Sequence, residues 1–345
     1  MKAVRKVEAG FGAKVVDVDI PKLSSHQVLV KVRAASICGT DGHIYRWNEW
    51  AAGRIKPPLT FGHEFSGEVV EVGNQVERIK VGDNASAETH IPCMGCKQCR
   101  TGRMHICQNV SILGVDRDGC FAEYVALPEI CCLVNNKVLS WEVASLQEPL
   151  GNAVYSVRTA DVSAKSVVIF GDGPIGIFAT AISRLFGATK IIVVGMQQYR
   201  LEIIKKYNPD LVINARDENP IEIIEQATKG EGVDVVLEMS GAEDAFHQGL
   251  KVLSRGGKFI AFGIPSKPIH LNVADELIFK GVDMIAINGR KMFETWYEVA
   301  NLLNSDRLDI KPVITHTFKL DEIDEAMKLL TGKEIKAGKI ILKTS

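Results

Sequence analysis

The sequence has no long apolar run, and this absence excludes one broad class of protein. No stretch of the 345 residues approaches the ~20 consecutive apolar residues that a membrane-spanning helix requires. The first ten residues, MKAVRKVEAG, also lack the apolar core and the small-residue cleavage site of a secretory signal peptide. We therefore expect a protein of the cytoplasm.

An excess of charge of either sign is also absent. The chain carries 41 Lys and Arg against 42 Asp and Glu, so its formal net charge is −1. No basic patch stands out, and nucleic acid is therefore not expected as a partner. No internal repeat or low-complexity segment is visible. The length is sufficient for two domains, because a single hydrophobic core stops growing near ~250–300 residues.

A disulfide framework is not expected either, although the chain has eight cysteines. In a long chain without a signal peptide, clustered cysteines more often bind metal. Four of them have metal-ligand spacing: Cys93, Cys96, Cys99 and Cys107. Four thiolates leave no open position, so this spacing predicts a structural zinc ion. Disulfides, buried free thiols and an iron–sulfur cluster are the alternatives. Three more cysteines fit no metal spacing and are predicted to be small buried residues: Cys120, Cys131 and Cys132.

A second set of metal-binding residue types is spread over three segments. These read SICGTDGH at 36–43, FGHEFSGE at 61–68 and QEPLGN at 147–152. They supply one thiolate, one imidazole and one carboxylate, from Cys38, His63 and Glu148. Three such ligands and one open position are typical of a catalytic zinc site. Glu64 is either a fourth or alternating ligand, or a support that orients His63.

The periodicity of the sequence divides the chain near residue 150. Before it, alternating patterns such as 28–33 and the glycine-bounded segment 67–73 predict short strands in a barrel-like or sandwich β-domain. After it, continuous apolar runs at 166–170 and 191–194 predict strands buried on both faces. Further β-α units after residue 210 predict an open parallel α/β sheet.

A glycine motif lies between the first two of these buried strands. The segment 171–176 reads GDGPIG and leads into a helical pattern that ends before Gly187. A strand, G-x-G-x-x-G, a helix and a strand within about thirty residues form the dinucleotide-binding fingerprint. The unpaired N–H groups of the helix N-terminus would meet the pyrophosphate. The predicted cofactor contacts are Gly171, Gly173, Pro174, Ile175 and Gly176.

The end of the second buried strand departs from the usual NAD site. A site selective for NAD places Asp or Glu there to hold the ribose 2′-hydroxyl, whereas this chain has Gly195. Gly195 removes a charge that would repel a 2′-phosphate, and Arg200 could pair with one. This pattern favours NADP. The alternative is NAD, with Arg200 at the adenosine and Gln197 or Gln198 in place of the acid.

The motifs together resemble one family. Gly62-His-Glu-x-x-Gly67, with Gly73 beyond it, resembles the zinc signature of the medium-chain alcohol dehydrogenases. The four-cysteine lobe and the dinucleotide fingerprint follow in that family's order, and the resemblance covers nearly the whole chain. Several segments are further similar to members that act on threonine. They are 38–50, 88–93, 147–153, 237–241, 289–297 and 312–316.

The resemblance implies an α/β and β architecture with two domains. A GroES-like catalytic domain with the structural zinc lobe would span residues 1–150. An inserted Rossmann domain, a doubly wound parallel sheet, would span 151–289, and residues 290–345 would return to the first domain. The implied reaction is zinc-dependent oxidation of the L-threonine β-hydroxyl to L-2-amino-3-oxobutyrate, with hydride transfer to NAD(P)+. Members of the family use NAD, and they are usually homotetramers.

The resemblance also implies roles for individual residues. Thr40 and His43 would pass the hydroxyl proton to solvent, because a hydroxyl and an imidazole both donate and accept protons. His90 would lie near the substrate, although a loop histidine beside the metal lobe is nearly as good an interpretation. Arg290 would contact the cofactor or the substrate carboxylate, or would be an ordinary arginine at a helix start. His105 and His316 are given no role.

Two other functions are compatible with these motifs. The first is an NADP-dependent polyol or secondary-alcohol dehydrogenase, which uses the same metal and hydride chemistry. The second is a non-catalytic, zinc-stabilised relative. Loss of Cys38, His63 or Glu148 would have favoured the second, and all three are present.

Overall fold

The computed structural model describes residues 1–332 and 334–344, which form two compact units. The first unit comprises Met1–Glu148, Lys291–Asn304 and the described residues from Ile314 onward. The second unit comprises Pro149–Arg290 and Ser305–Val313. Within the described ranges, no helix has both the length and the apolar character that crossing a membrane requires.

In the described part of the chain, eighteen strands and eleven α-helices build the two units. In chain order the strands are β1 (Lys2–Lys6), β2 (Lys14–Asp17), β3 (Gln27–Ser36), β4 (Leu59–Thr60), β5 (Glu64–Val72), β6 (Asn84–Ala87), β7 (His90–Ile91), β8 (Ser111–Ile112), β9 (Tyr124–Pro128), β10 (Cys132–Val134), β11 (Ser166–Phe170), β12 (Lys190–Gly195), β13 (Leu211–Asn214), β14 (Val233–Glu238), β15 (Leu253–Ala261), β16 (Asp283–Ala286), β17 (Ile314–Lys319) and β18 (Lys339–Lys343). The helices are α1 (Gly39–Arg46), α2 (Glu49–Arg54), α3 (Lys97–Arg100), α4 (Trp141–Ala144), α5 (Gln147–Ala160), α6 (Pro174–Leu185), α7 (Gln198–Lys205), α8 (Pro220–Ala227), α9 (Glu243–Val252), α10 (Glu294–Asn304) and α11 (Ile323–Thr331).

The first unit is organised around β3. Its largest sheet has the order β10-β6-β5-β3-β18-β17, and β9 also pairs with β3. The inward residues of β3, such as Val30 and Val32, pack in one core with Phe65 of β5 and Ile340 of β18. The alternation predicted for residues 28–33 therefore belongs to a central strand of a β-rich unit, as expected.

The pairing of β3 with its neighbours has a direct consequence for the donor residues. β3 and β5 are antiparallel, and the register places Ser36 opposite Glu64. On its other edge β3 pairs with β18, where Ser36 lies opposite Ile341. Residues just after β3 and residues at the start of β5 are thus brought together, although they are far apart in the sequence.

The second unit is a six-stranded sheet in the order β13-β12-β11-β14-β15-β16. All five strand pairs are parallel. The strands β11, β12 and β14 are almost entirely buried, which explains their continuous apolar runs. With β11 counted as the first strand, the order is 3-2-1-4-5-6, which is the doubly wound nucleotide-binding topology. The predicted parallel α/β sheet is confirmed.

One segment lies in a different unit from the one that the sequence suggested. Residues 290–345 were expected to return to the first domain as a whole, but Ser305–Val313 packs with the second unit. The reason is a small set of apolar side chains in this segment. Leu308, Ile310 and Val313 are buried, and the Tyr207 hydroxyl donates to the carbonyl oxygen of Asp309 at 3.1 Å.

Candidate metal centres and dinucleotide site

The four clustered cysteines form a compact group around α3. Cys93, Cys96, Cys99 and Cys107 place their sulfur atoms within 4.8 Å of one another. The Cys96 Sγ lies 3.5 Å from Cys99 Sγ and 3.8 Å from Cys107 Sγ. A tetrahedron with Zn–S bonds of about 2.3 Å has edges of about 3.8 Å, so the spacing fits a zinc ion. All eight cysteines of the chain are free thiols.

Backbone N–H groups around this cluster favour thiolates. The N–H groups of Cys93 and Asn109 each donate to Cys107 Sγ at 3.3 Å. N–H groups of Gly95 and Cys96 lower the pKa of the Cys93 thiol to about 6. Because a thiolate, and not a thiol, is the metal ligand, this polar shell suits a bound cation.

A second donor cluster lies where β3, α1 and β5 meet. One ligand atom each from Cys38, His63 and Glu64 lies within 4.8 Å of the others. Cys38 is the residue that precedes α1, whereas His63 and Glu64 stand at the start of β5. The register of β3 on β5 produces this meeting. A thiolate, an imidazole and a carboxylate together are a zinc-type donor set.

The Glu64 carboxylate is fully buried and is held on one side. Its Oε2 accepts hydrogen bonds from the Ser36 hydroxyl and the Lys339 ammonium group, whereas its Oε1 has no hydrogen-bond partner among the residues that the structure describes. Lys339 also donates to the carbonyl oxygen of Ile37 at 3.0 Å. The orphaned, buried Oε1 therefore suits a cation. Lys339 was missed from sequence, because an alternating terminal strand gives no sign that one of its lysines points inward.

Glu148 occupies a distinct position close to this cluster. It lies outside the group of mutually close ligand atoms, and its Oε1 accepts a hydrogen bond from the Thr89 hydroxyl at 3.3 Å. Its negative charge nevertheless contributes to raising the pKa of His63. Of the two predicted carboxylate ligands, Glu64 is therefore the one grouped with Cys38 and His63, and Glu148 acts on His63 through its charge.

The charges around His63 show the electrostatic character of the site. Burial opposes protonation of His63, but the negative charges of Cys38, Asp41 and Glu148 outweigh it and raise its pKa to about 10. Burial also raises the pKa of Asp41 to about 6. An excess of buried negative groups around one imidazole is the arrangement that a bound divalent cation would neutralise.

Asp41 is a supporting residue that was missed from sequence. Its Oδ2 accepts the N–H of Cys38 at 2.8 Å, and its Oδ1 lies 3.8 Å from His63 Nδ1. It thereby links two of the donor residues. A signal was available, because an acid three residues after the residue that precedes a helix often bonds back to that residue's N–H.

The predicted proton-relay residues lie on α1. The Thr40 hydroxyl oxygen is 3.8 Å from Cys38 Sγ, and His43 follows one helical turn later on an exposed position. Partial burial of the ring and the charge of Arg46 lower the pKa of His43. Its imidazole is therefore neutral at neutral pH and able to take up a proton.

Asn48 determines the state of the His43 ring. The Asn48 Oδ1 accepts the N–H of Ala51 at 3.1 Å and so caps α2. This fixes the amide orientation, and the Nδ2 group lies 2.9 Å from His43 Nδ1. The amide nitrogen is a donor, so His43 Nδ1 is an acceptor and the neutral ring carries its proton on Nε2.

A buried carboxylate joins two of the segments that carried the resemblance. Glu88 Oε1 accepts the backbone N–H of His90 at 2.9 Å and lies 3.3 Å from its ring Nδ1. Glu88 Oε2 accepts the indole N–H of Trp296, on α10, at 2.9 Å. His90 is therefore a half-buried residue with an orienting partner, and it follows Thr89, which bonds to Glu148. Neither Glu88 nor Trp296 was predicted as a site residue.

The glycine motif in the second unit has the geometry of a phosphate cradle. Gly171 has φ +119°, and a Cβ on Gly176 would lie 1.9 Å from the Gly171 carbonyl oxygen. Gly173 precedes α6 without a side-chain cap, and Pro174 occupies the first turn. A Cβ on Gly173 would meet nothing within 4 Å. The loop is thus tight on the protein side and open at the helix N-terminus, which fits a pyrophosphate.

A carboxylate from the glycine loop lies at the end of β12, where the sequence did not suggest an acid. Asp172 lies in the glycine loop, and its Oδ2 accepts the N–H groups of Met196 and Gln197, each at 2.6 Å. A Cβ on Gly195 would lie 2.7 Å from Asp172 Oδ2, so the space left by the glycine is filled. Arg200 is buried, with its Nη1 4.0 Å from Asp172 Oδ1.

Arg290 belongs to the second unit. It is 1 % exposed, and its Nη1 donates to the Asn152 side-chain oxygen at 3.1 Å. Asn152 is the last residue of the QEPLGN segment, which was singled out because of Glu148. The structure therefore places Arg290 beside that segment, and it is not an ordinary surface residue at a helix start.

Comparison with known proteins identifies the family. Residues 24–136 match the alcohol dehydrogenase GroES-like domain, and residues 174–305 match the zinc-binding dehydrogenase domain. An L-threonine 3-dehydrogenase of Symbiobacterium thermophilum is 47% identical over 99% of this chain and 97% of that protein. A Sinorhizobium meliloti 1021 zinc-binding dehydrogenase bound to NADP is 27% identical and superposes with a TM-score of 0.91, over 99% of both chains. A 2R,3R-butanediol dehydrogenase of Bacillus subtilis, 27% identical, covers 100% of this chain and 99% of its own with a TM-score of 0.90. The chain therefore belongs to the zinc-binding medium-chain dehydrogenases and is an oxidoreductase.

Proposed function

We propose that this protein oxidises the β-hydroxyl of L-threonine to L-2-amino-3-oxobutyrate and transfers the hydride to NAD(P)+. The observation that carries the substrate assignment is the full-length identity of 47% with an L-threonine 3-dehydrogenase. The donor cluster of Cys38, His63 and Glu64 supports the reaction type. A bound zinc ion would supply Lewis acidity that lowers the pKa of the substrate hydroxyl, and a nicotinamide ring would accept the hydride.

In this proposal Cys38, His63 and Glu148 hold the catalytic zinc ion. Glu64 offers Oε1 towards the same place, while Ser36 and Lys339 retain its Oε2. Cys93, Cys96, Cys99 and Cys107 hold a separate structural ion. Asp41 orients Cys38 through the backbone N–H. The chain thus contributes negative donors, buried surroundings and one lysine that limits the movement of Glu64.

Proton removal and substrate binding are assigned to residues nearby. The hydroxyl of Thr40, beside Cys38, accepts the substrate proton as it gives up its own proton to His43, and His43 releases a proton to solvent. His90 lies at the substrate with its ring oriented by Glu88. Arg290 binds an anionic group of the substrate or the cofactor, since a guanidinium group recognises carboxylates and phosphates through paired hydrogen bonds.

An assay with several alcohols tests the substrate assignment. The protein is incubated with NAD+ or NADP+ and with L-threonine, D-threonine, sorbitol or 2R,3R-butanediol. We expect the highest kcat/KM with L-threonine and loss of activity in Cys38→Ser. Absence of turnover of L-threonine with either cofactor would overturn the proposal. Turnover of butanediol or sorbitol alone would support the alternative, a polyol or secondary-alcohol dehydrogenase, which the butanediol dehydrogenase neighbour favours.

We also propose a homotetramer in the cytoplasm. Eight free thiols suit a reducing compartment. In the second unit, β16 is the last strand of the sheet order, and the large apolar side chains of Ile278 and Phe279 lie exposed just before it in the sequence. Ile264, shortly after β15, is also exposed. Light scattering should give about four times the subunit mass of 37.8 kDa. A monomeric mass at micromolar concentration would contradict this part of the proposal.

A further inference from the structure

The selectivity of a dinucleotide site for NAD or NADP commonly depends on one acid near the adenosine ribose. In sites of this topology, an acid at the end of the second strand binds the ribose 2′-hydroxyl and repels a 2′-phosphate. Here that strand is β12, and its last residue is Gly195. The sequence alone therefore favoured NADP. The three-dimensional arrangement gives a different answer.

The carboxylate of Asp172 occupies this place from the glycine loop that follows the neighbouring strand, β11. β11 and β12 are parallel, with Phe170 opposite Val194. Asp172, two residues beyond Phe170, therefore lies beside the residues that follow β12. A Cβ on Gly195 would approach both Asp172 Cβ and Asp172 Oδ2 to 2.7 Å. Asp172 and a side chain at position 195 thus exclude each other.

The groups that would bind a 2′-phosphate are already engaged. In an NADP site, backbone N–H groups and an arginine near the end of this strand are natural phosphate ligands. Here the N–H groups of Met196 and Gln197 both donate to Asp172 Oδ2. The guanidinium group of Arg200 is 8 % exposed and faces Asp172 Oδ1 at 4.0 Å. A phosphate would have to displace a carboxylate and would be repelled by it.

We propose that Asp172 is the specificity-determining acid of the dinucleotide site and makes it selective for NAD(H) over NADP(H). Gly195 is then required to make room for Asp172, and Arg200 balances the charge of Asp172. This inference rests on the dinucleotide site of the proposed function, but it does not depend on the identity of the alcohol.

Binding measurements without any alcohol substrate test the inference. Dissociation constants for NADH and NADPH are measured by nucleotide fluorescence on the wild type and on Asp172→Ala. We expect the wild type to bind NADH at least tenfold more tightly. Asp172→Ala should lower this ratio at least tenfold, because it frees the N–H groups of Met196 and Gln197 from the carboxylate and removes the negative charge that would repel a phosphate. A wild type that prefers NADPH, or an unchanged ratio in Asp172→Ala, would overturn the inference.

Asp210 provides a matched control at the other end of β12. Its carboxylate accepts the N–H of Ile191 at 2.7 Å and a hydrogen bond from Arg184 at 2.6 Å. Asp210→Ala removes the same kinds of interaction far from the glycine loop, so the NADH/NADPH ratio should stay at the wild-type value. If Asp172→Ala does not fold, Asp172→Asn decides, because it keeps the shape and removes the charge.

Moving the acid back to the strand end completes the test. Gly195→Asp alone should be destabilised by its contact with Asp172. The double variant Asp172→Ala/Gly195→Asp should fold and regain the preference for NADH; preference for NADPH in the double variant would count against the inference. An intact NADH preference with no turnover of L-threonine would refute the proposed substrate only. Failure of the wild type to bind either nucleotide would refute the dinucleotide site itself.

Discussion

Buried carboxylates determine the local geometry of both units at the scale of single residues. Glu64 is bonded to Lys339, Glu88 to Trp296, and Asp172 to the backbone after β12. Each of these acids is less than 10 % exposed. A charge so far from water is tolerated only with a partner or several hydrogen bonds. Each carboxylate and the groups that bond to it therefore hold one another in a defined position.

The buried pair of Glu64 and Lys339 predicts a large effect on stability. Lys339→Met should lower the free energy of unfolding by ~3–5 kcal/mol, because it leaves Glu64 buried without its cation. The double variant Glu64→Gln/Lys339→Met should be more stable than Lys339→Met alone. Urea unfolding of the metal-free protein measures both. Lys343→Met is the control, since Lys343 forms an ion pair at the surface with Glu142. Equal stability of Lys339→Met and the control would contradict the prediction.

The hydrogen bond between Asn48 and His43 predicts a pKa change that can be measured directly. Burial and Arg46 lower the pKa of His43 in the wild type. Asn48→Asp keeps an oxygen that caps α2, but it places an anion at Nδ1, so the pKa should rise by about 1 unit. The His43 ring signal in an NMR titration reports this change, and His43→Gln assigns it. Because protonation blocks uptake of a further proton, the acid limb of kcat/KM should move to higher pH by the same amount.

A neighbouring charge provides the control for the Asn48 variant. Glu49 lies in the first turn of the same helix and is exposed. Glu49→Gln changes the local charge without touching the ring, so it should leave the pKa of His43 within a few tenths of a unit. An unshifted His43 signal in Asn48→Asp would show that Asn48 does not determine the protonation of the ring.

At the scale of secondary-structure elements, local periodicity explains what could be predicted. The apolar runs of β11 and β12 and the glycines between them carry their own signal, because strand burial and positive φ angles select residue types locally. The thiolate and imidazole donors were also predictable, since Cys38 and His63 lie in recognisable motifs. The four clustered cysteines were also predictable, because they are close enough in the sequence to bind one ion together.

The supporting interactions could not be predicted, because they depend on strand register. Asp172 meets Met196 only because β11 and β12 pair with Phe170 opposite Val194. Lys339 reaches Glu64 because β18 and β5 flank β3 on opposite sides. Neither relation leaves a pattern in the sequence. The sequence gives no sign of an acid beside Gly195 for this reason, since the carboxylate of Asp172 comes from the loop after β11.

The turn between β11 and α6 predicts two different outcomes for two glycines. Gly176→Ala places a methyl group against the Gly171 carbonyl oxygen, so it should weaken both folding and nucleotide binding. Gly173→Ala meets nothing in the protein and has an ordinary φ of −63°, so its melting temperature should remain near the wild-type value. Its affinity for NADH should still fall at least tenfold, because the methyl group would occupy the approach of the pyrophosphate. Melting curves and fluorescence titrations with NADH distinguish the two variants. Equal melting temperatures and equal NADH affinities in the two variants would contradict the assignment of this loop as a phosphate cradle.

At the scale of the whole molecule, the first unit contains two candidate metal centres with different chemistry. The four-cysteine group offers only thiolates, and the Cys38 group combines three donor types. In the proposed function the first centre is closed and serves folding, whereas the second keeps a position for a substrate. Metal content therefore tests the two centres separately, and it also separates an enzyme from a non-catalytic relative.

The fully loaded protein should contain about two zinc ions per chain. Cys99→Ser should bind about one and should melt at a lower temperature, because a structural zinc ion contributes its binding free energy to folding. His63→Ala should also bind about one zinc ion, but its melting temperature should fall less, since the strands β3 and β5 hold that centre without the metal.

Cys131→Ala is the control, because Cys131 is buried outside both groups and should retain two ions. Elemental analysis and calorimetry measure these quantities. Iron in place of zinc in His63→Ala would favour the iron–sulfur alternative, and two zinc ions in Cys99→Ser would refute the four-cysteine site.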